Sequence, residues 1–478
     1  MPLPVETASL GGAPVTSARM LDRPFYFILV LWGERFREYF LDLCLPTMLS
    51  PGNLPALATR ARSKFLICTR PEDWAAITAA PIFQLLKRHV EPVYIELPPC
   101  PPGVSGCVHM GIGHRRGCEL AYEAKAYPFV LTPDSIFSDG TIARLQELAL
   151  AGVQLALVPA LRFAEEPLFD ELRQAGISPL GRAGLAEPIA ISNRDLVRMA
   201  LASMHSETMT YEWDAPYFAR MPSAVWWRVP GEDGIVVQCL SWAPLLFDFK
   251  AVPEHDTSVF DDWTFDGDYI YKNLGNIKRI HPVLDSDEIF MASWAPLSDR
   301  PHDLTPRRLL QTKFLGDFLK KQRFNAAFYS GVFDPLKREI FFEPARWHSR
   351  PLNKAWARVE THALATLISC VFPPSGVKNI RDKLIENAQL SKLELYRLQV
   401  RLQLLHLRVH LLRLMNVIMA PVFRCIFIVR SLWISRTIVG QRVYEILHGD
   451  RFAWKRATWR FRQASHYLLG RRFSEPEP

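Results

Sequence analysis

Two acids stand where a short apolar run gives out. The stretch Val130-Leu-Thr-Pro-Asp-Ser-Ile-Phe-Ser-Asp-Gly140 carries Asp134 just past that run and Asp139 beside a turn glycine. In an open α/β sheet, ligands bind outside the carboxyl ends of the strands. A carboxylate there can hold a divalent cation through its oxygens, and the cation can bridge to a diphosphate. The same residues also make ordinary caps, Asp134 for the following turn and Asp139 for a helix starting near Thr141.

Other chemistry-bearing residues cluster at similar junctions. Trp32 and Gly33 close the apolar run Phe25–Trp32, and Thr69 and Arg70 follow the run Lys64–Cys68. His114, Arg115 and Arg116 form a basic group, and arginine forks suit phosphate oxygens. Asp214, Asp266 and Asp268 lie among aromatics that include Trp213, Tyr217, Trp242 and Trp263. His281 is an isolated imidazole. Each has a plainer use: a core indole, a solvated basic face, a turn around Gly267, a structural histidine.

Several classes are excluded. The glycines Gly111, Gly113 and Gly117 miss the dinucleotide fingerprint by one residue, and no strand immediately precedes them. No Gly-Lys-Ser/Thr follows a glycine-rich loop, and no Gly-x-Ser-x-Gly elbow occurs.

The elements that must position these groups alternate. Phe25–Trp32, Lys64–Cys68, Val90–Leu97, Phe129–Thr132 and Val153–Val158 read as strands. Helices are expected near Glu34–Leu45, after Thr69, over Gly113–Ala126 and over Ile142–Ala151. Continuous apolar runs suit strands buried on both faces of a parallel sheet. The alternation predicts a doubly wound, mostly parallel α/β sheet with helices on both faces. Residues 1–22 read as a loose lead-in, 23–200 as the first α/β half, 201–302 as an aromatic-rich lobe over the sheet and 303–378 as a helical region.

The chain has 478 residues, enough for about two to four domains. Its net charge of +8 is unevenly placed: residues 381–478 hold 18 Lys+Arg against 7 Asp+Glu, and the remainder is slightly acidic. Within this tail, 379–478, one helix has two leucine-rich faces, the first including Leu393, Val400 and Leu407. The apolar segment 414–435 carries Arg424 and Arg430, which are costly at bilayer depth. The pattern predicts an all-helical basic tail on an anionic membrane surface rather than a spanning helix or a nucleic-acid platform. The eight cysteines form no Cys-x-x-Cys pair. Phe25–Trp32 reads as a strand rather than a leader, so the inner face of the membrane, in a reducing cytoplasm, is the expected location.

The strand, acidic motif, turn and helix around Asp134 are similar to the strand-end acidic motif of GT-A glycosyltransferases, a nucleotide-diphospho-sugar transferase fold of Rossmann type. More narrowly, the chain resembles a group of bacterial glycosyltransferase-like proteins. The matching stretches are Leu31-Trp32-Gly33-Glu34, Leu49-Ser-Pro-Gly-Asn-Leu-Pro55, Gly113-His114-Arg115, Pro133-Asp134 with Ser138-Asp139-Gly140, Trp213-Asp214-Ala-Pro216, Phe265-Asp266-Gly-Asp268-Tyr269, and Ile280-His281 with Asp285-Ser-Asp287-Glu288. They cover about residues 25–300.

The resemblance implies transfer of a sugar from a nucleotide-sugar donor to a lipid-linked or surface-polysaccharide acceptor. It places the nucleotide sugar on Trp32, Gly33, Thr69, Arg70, His114, Arg115, Asp134 and Asp139. A general base would come from Asp214, Asp266 or Asp268. A divalent cation, Mn or Mg, would sit on Asp134 and His281. The family motif has two acids flanking one residue, whereas Thr132-Pro133-Asp134 keeps only the second, so a cation would need other ligands. The rival expectation is a membrane-associated interaction protein that keeps the sheet and has lost catalysis.

Overall fold

Strand β1, Phe25–Val30, is buried at every position. Successive side chains of a strand point to opposite faces, so an unbroken apolar run means two cores, one on each side. Tyr26 and Ile28 enter one cluster with Cys118 and Ala121. Phe25, Phe27 and Leu29 enter another with Leu45, Ile77, Leu86, Ile142 and Leu145. The apolar run thus requires helices on both faces.

The computed structural model describes residues 23–182, 184–265, 267–274, 279–329 and 344–371. The basic tail, with the two-faced helix expected in it, lies outside the described residues, as does Asp266. After β1 come α1 (Glu34–Tyr39), a π-helical turn (Phe40–Cys44) and α2 (Leu45–Met48). Next are β2 (Lys64–Thr69), α3 (Pro71–Ala79), α4 (Pro81–Leu86), β3 (Glu91–Glu96), α5 (Gly106–Glu123), β4 (Tyr127–Leu131), β5 (Ser135–Phe137) and α6 (Thr141–Leu150). Then follow β6 (Leu155–Pro159), β7 (Arg162–Ala164), α7 (Glu165–Gln174), α8 (Asn193–Ala202), α9 (Ser206–Met209), β8 (Ala224–Arg228), β9 (Gly234–Cys239) and β10 (Trp242–Phe247). The last are α10 (Gly267–Leu274), β11 (Ile280–Pro282), β12 (Met291–Ala295), α11 (Arg308–Gln311), α12 (Lys313–Tyr329), β13 (Ala345–His348) and α13 (Lys354–Val371).

The central sheet has the order β3-β2-β1-β4 and is parallel throughout. This is the mostly parallel, Rossmann-type α/β sheet read from the sequence. Strand β10 runs beside β4 and carries the layer on to β6 and β11, in the order β10-β6-β11. Strand β12 joins β5 and β7. The region after 303 is less purely helical than expected, because β13 pairs antiparallel with β9. Among the described residues no helix is long and apolar enough to cross a membrane.

Helix α5 begins seven residues earlier than the pattern suggested, capped by the Ser105 hydroxyl, which accepts from the Val108 N–H. Its glycines are packing contacts. A Cβ on Gly117 would lie 2.5 Å from Ile28 Cγ2, and one on Gly113 2.8 Å from both Val30 methyls. Gly111 lies against the Trp263 and Phe260 carbonyls. The Gly-x-Gly-x-x-x-Gly spacing therefore presses α5 onto β1 on one side and onto the 257–265 segment on the other.

The sheet order reverses between β1 and β4. The chain leaves β1 for β2 on one side and reaches β4 on the other, so their carboxyl ends open a crevice. Trp32-Gly33 and Thr132-Pro133-Asp134 stand at its two lips.

Candidate functional site

The β1 and β2 ends are tied together by an acid the sequence reading passed over. Asp73, in the first turn of α3, is fully buried. It accepts from the Gly33 N–H at 2.9 Å, from Arg37 Nη1 at 2.8 Å and from Arg70 Nε at 2.9 Å. Burial works against its charge, but these three donors prevail and hold its carboxyl below the usual range. Gly33 has φ 86°, a left-handed conformation that favours glycine. Asp73 thereby fixes both the turn after β1 and the direction of Arg70.

Beside this turn, the Trp32 indole meets the His109 ring edge-on, with centroids 4.8 Å apart. Trp32 and Met110 pack on Val30, Cys68 and Leu97. The structure thus brings Trp32, Gly33, Thr69 and Arg70 to one sheet edge, and adds His109.

The β4 end carries the densest charge. Asp134 lies mostly buried, and burial pushes its carboxyl up, opposed by the Thr132 hydroxyl and the guanidinium groups of Arg162 and Arg35. Arg35, in α1, donates from Nε to the Tyr39 hydroxyl at 2.7 Å and from Nη2 to Glu165 Oε2 at 3.1 Å. The Tyr39 hydroxyl also donates to Glu165. Burial, then Glu165, raise the Tyr39 phenol well above its ordinary value. On the other side, Arg162 Nε lies 3.8 Å from Glu207 Oε2, and the Tyr211 hydroxyl donates to Glu207 Oε1 at 3.2 Å. Both arginine side chains keep 40% or more of their surface exposed, so they remain open to a ligand.

Arg35, Tyr39, Arg162, Glu165 and Glu207 were all missed in the sequence. Only the i, i+4 spacing of Arg35 and Tyr39 in the helix after β1 could have suggested a shared direction. Glu165 resembled any acid in a first helical turn.

The remaining expected residues lie apart from this centre. Asp139 Oδ1 accepts from the Gly52 N–H at 2.6 Å. The cap of α6 is Gly140, with no side-chain bond, so Asp139 ties the 50–53 turn to the strand end instead. His114 is 3% exposed; its Nδ1 is 2.8 Å from Thr264 Oγ1 and accepts from the Phe265 N–H. Burial lowers its pKa to about 3, so it is a neutral clip between α5 and the 257–265 segment. Arg115 pairs with Asp261 in the same segment. Asp214 and Asp268 are exposed, and the charge of Asp214 acts on Lys320.

His281 is bonded to Glu288 Oε1 at 2.7 Å, and Glu288 also takes Arg144 Nε at 2.9 Å. Strand β11, which carries His281, is separated from β4 by β6 and β10. Asp134 and His281 therefore do not share an ion. A lone carboxylate acted on by the charges of two guanidinium groups is also a poor divalent site, since like charges repel strongly where water is scarce.

Among the described residues, the grouping with cation-binding spacing is Asp285, Asp287 and His348, whose donor atoms lie within 4.8 Å of one another. It has the oxygen and imidazole donors a divalent cation uses. Those donors are already engaged. His348, nearly fully buried, has Nε2 2.8 Å from Asp285 Oδ1 and Nδ1 2.8 Å from the Arg350 carbonyl. Asp287 receives Arg194 through Nε at 2.9 Å and Nη2 at 2.7 Å.

No family model and no curated protein matches the chain. Among solved structures, the chain is similar to the mannosyltransferase PcManGT from Pyrobaculum calidifontis in complex with GDP-Man and Mn2+. Identity is 12% and TM-score 0.29, over 81% of this chain and 86% of that one. It is also similar to a protein described as a glucose-1-phosphate thymidylyltransferase from Bacillus anthracis in complex with sucrose. There identity is 14% and TM-score 0.20, over 30% of this chain and 57% of that chain's length. The fold assignment rests on strand order and direction.

Proposed function

We propose that the chain is a glycosyltransferase that moves a sugar from a nucleotide-sugar donor to a lipid-linked or surface-polysaccharide acceptor at the cytoplasmic membrane face. The observation that carries this reading is the charged centre at the switch between β1 and β4. Asp134, Arg35 and Arg162 stand together where an open α/β sheet takes its ligands.

The roles follow from chemistry. Trp32, Gly33, Thr69 and Arg70 line the nucleoside side of the crevice. Arg35 and Arg162, with exposed guanidinium forks, suit the diphosphate and the negative charge that grows on it as the sugar leaves. They supply positive charge where the acidic motif has kept one carboxylate. Asp134 orients the sugar or the forks. An inverting reaction sends the proton of the acceptor hydroxyl to a carboxylate, and Glu165 and Glu207 are the ones the fold brings to this centre. They replace Asp214 and Asp268, which face solvent elsewhere. The basic tail remains the proposed membrane contact.

The test is thermal shift with nucleoside diphosphates, with and without manganese, followed by donor turnover. Stabilisation by a nucleoside diphosphate and loss of turnover in Asp134→Ala are expected. Thr132, standing where the family's first acid would be, favours the rival of a non-catalytic interaction protein. A protein that no nucleotide stabilises would decide for that rival. Deletion of 381–478 should release the chain from membranes.

A further inference from the structure

We infer that His109 and Thr69 read the base of a nucleoside diphosphate, with the Trp32 indole forming the wall of that pocket. The inference rests on the nucleotide-sugar reading and deepens it.

His109 is fully buried, and neither ring nitrogen has a hydrogen-bond partner. Thr69, also fully buried, has an unpartnered hydroxyl. Buried polar groups in folded proteins are nearly always satisfied, so two unsatisfied ones at one sheet edge require an explanation. His109 is the fourth residue of α5, and Thr69 is the last of β2. The two elements pack together: a Cβ on Gly113, one turn after His109, would lie 3.0 Å from Cys68 Cβ, next to Thr69.

Packing alone does not call for these residue types. Trp32, which meets the His109 ring, packs with Ile95 and Met110 on the apolar cluster of Val30, Cys68 and Leu97, which offers no polar partner. Burial, and then Arg70 nearby, lower the His109 pKa, so the ring is neutral at physiological pH. A neutral imidazole offers one N–H donor and one bare acceptor nitrogen, and a hydroxyl can do either. A phosphate, which only accepts, leaves the bare nitrogen unmatched. A base edge carries donors and acceptors side by side, and its flat ring suits the indole of Trp32 and the guanidinium of Arg70.

Titration calorimetry on the full chain tests this with UDP, GDP, ADP, CDP and inorganic pyrophosphate. The wild type should rank the four bases. Thr69→Val and His109→Phe should each weaken the preferred nucleoside diphosphate about tenfold or more and flatten the ranking, with pyrophosphate unchanged. His109→Gln, which keeps a donor and an acceptor, should retain part of the affinity. A second readout needs no substitution at His109: the imidazole 15N resonances should shift when the preferred nucleoside diphosphate is added and stay fixed with pyrophosphate. An unchanged ranking in Thr69→Val together with fixed imidazole resonances overturns this inference alone. A wild type that binds no nucleoside diphosphate overturns both it and the nucleotide-sugar reading.

Discussion

Two charged clusters of similar composition sit in this fold, and they are poised in opposite directions. At the end of β4, burial raises Asp134 although Arg35 and Arg162 are near. In the clasp of Asp285, Asp287 and His348, burial is outweighed by the partner groups. Asp285 is lowered, and His348 is raised by its bonds to Asp285 and the Arg350 carbonyl. Arg194 closes the second acid with a two-pronged bond. In the clasp every charge has its partner, and the geometry is that of a tertiary cross-link between β13 and the 285–287 turn. At Asp134 the carboxylate is held in an unfavourable state beside cations that still face solvent. Perturbed groups of this second kind mark functional sites more often than satisfied pairs do.

The largest expected effect tests the first half of the contrast. Asp134→Asn should cut sugar transfer on the order of 10²–10³-fold, the range seen when one group aimed at developing charge is removed. Its melting temperature should not fall. A carboxyl raised in the folded state contributes stability below its unfolded pKa and loses it as pH rises through the folded one, so at neutral pH the amide gives up nothing. A variant that keeps activity but melts early would make Asp134 a structural residue and erase the contrast.

Asp285→Ala should do the opposite. It leaves the nearly buried His348 ring without its carboxylate partner, at a cost of about 1–3 kcal/mol, while nucleotide affinity stays as in the wild type. Chemical denaturation and calorimetry on the same samples check both halves. The pH profile of wild-type stability sharpens the point. Asp285, lowered, contributes above its ordinary 3.8 and loses that contribution as pH falls through its folded value. His348, raised, contributes below its ordinary 6.5 and loses that contribution as pH climbs through its higher folded value. The clasp should therefore be strongest between these limits, and Asp285→Ala should flatten the profile there.

Manganese gives a smaller test. With its donors already paired, the clasp should show little stabilisation by millimolar manganese. A rise in melting temperature that Asp287→Asn removes would turn the clasp into a cation site. The smallest effect is expected from Arg194→Ala: its partner Asp287 is exposed, and screening by solvent should leave the melting temperature unchanged within error.

The parallel sheet was legible because burial on both faces forces a strand to be apolar at every position. Phe25–Val30 admits no other reading, and the same logic found β2 and β4. The strand ends were legible too: Trp32, Thr69 and Asp134 were read as standing at the ends of apolar runs, and they stand at or just past the ends of β1, β2 and β4. The glycines of α5 were visible, but their use was not. Whether a missing Cβ admits a phosphate or a neighbouring strand depends on what faces it, here Ile28 and Val30. His114 and Arg115 looked like phosphate ligands for the same reason. Only the packed 257–265 segment, far along the chain, claims them.

The residue pattern by itself determined the layers, the strand ends and one acid of the centre. Those follow from periodicity and burial, which are local properties of the chain. The tertiary structure alone decided what Asp134 faces. Arg35 comes from the helix after β1, Arg162 and Glu165 from β7 and α7, and Glu207 from α9, brought together by the pairing of β12 with β5 and β7 and by the packing around it. Coulomb interactions depend on distance in space, and no spacing along the sequence encodes that distance. The single acid in Thr132-Pro133-Asp134 therefore looked like half of a lost motif, and in the folded chain the charges of Arg35 and Arg162 act on it.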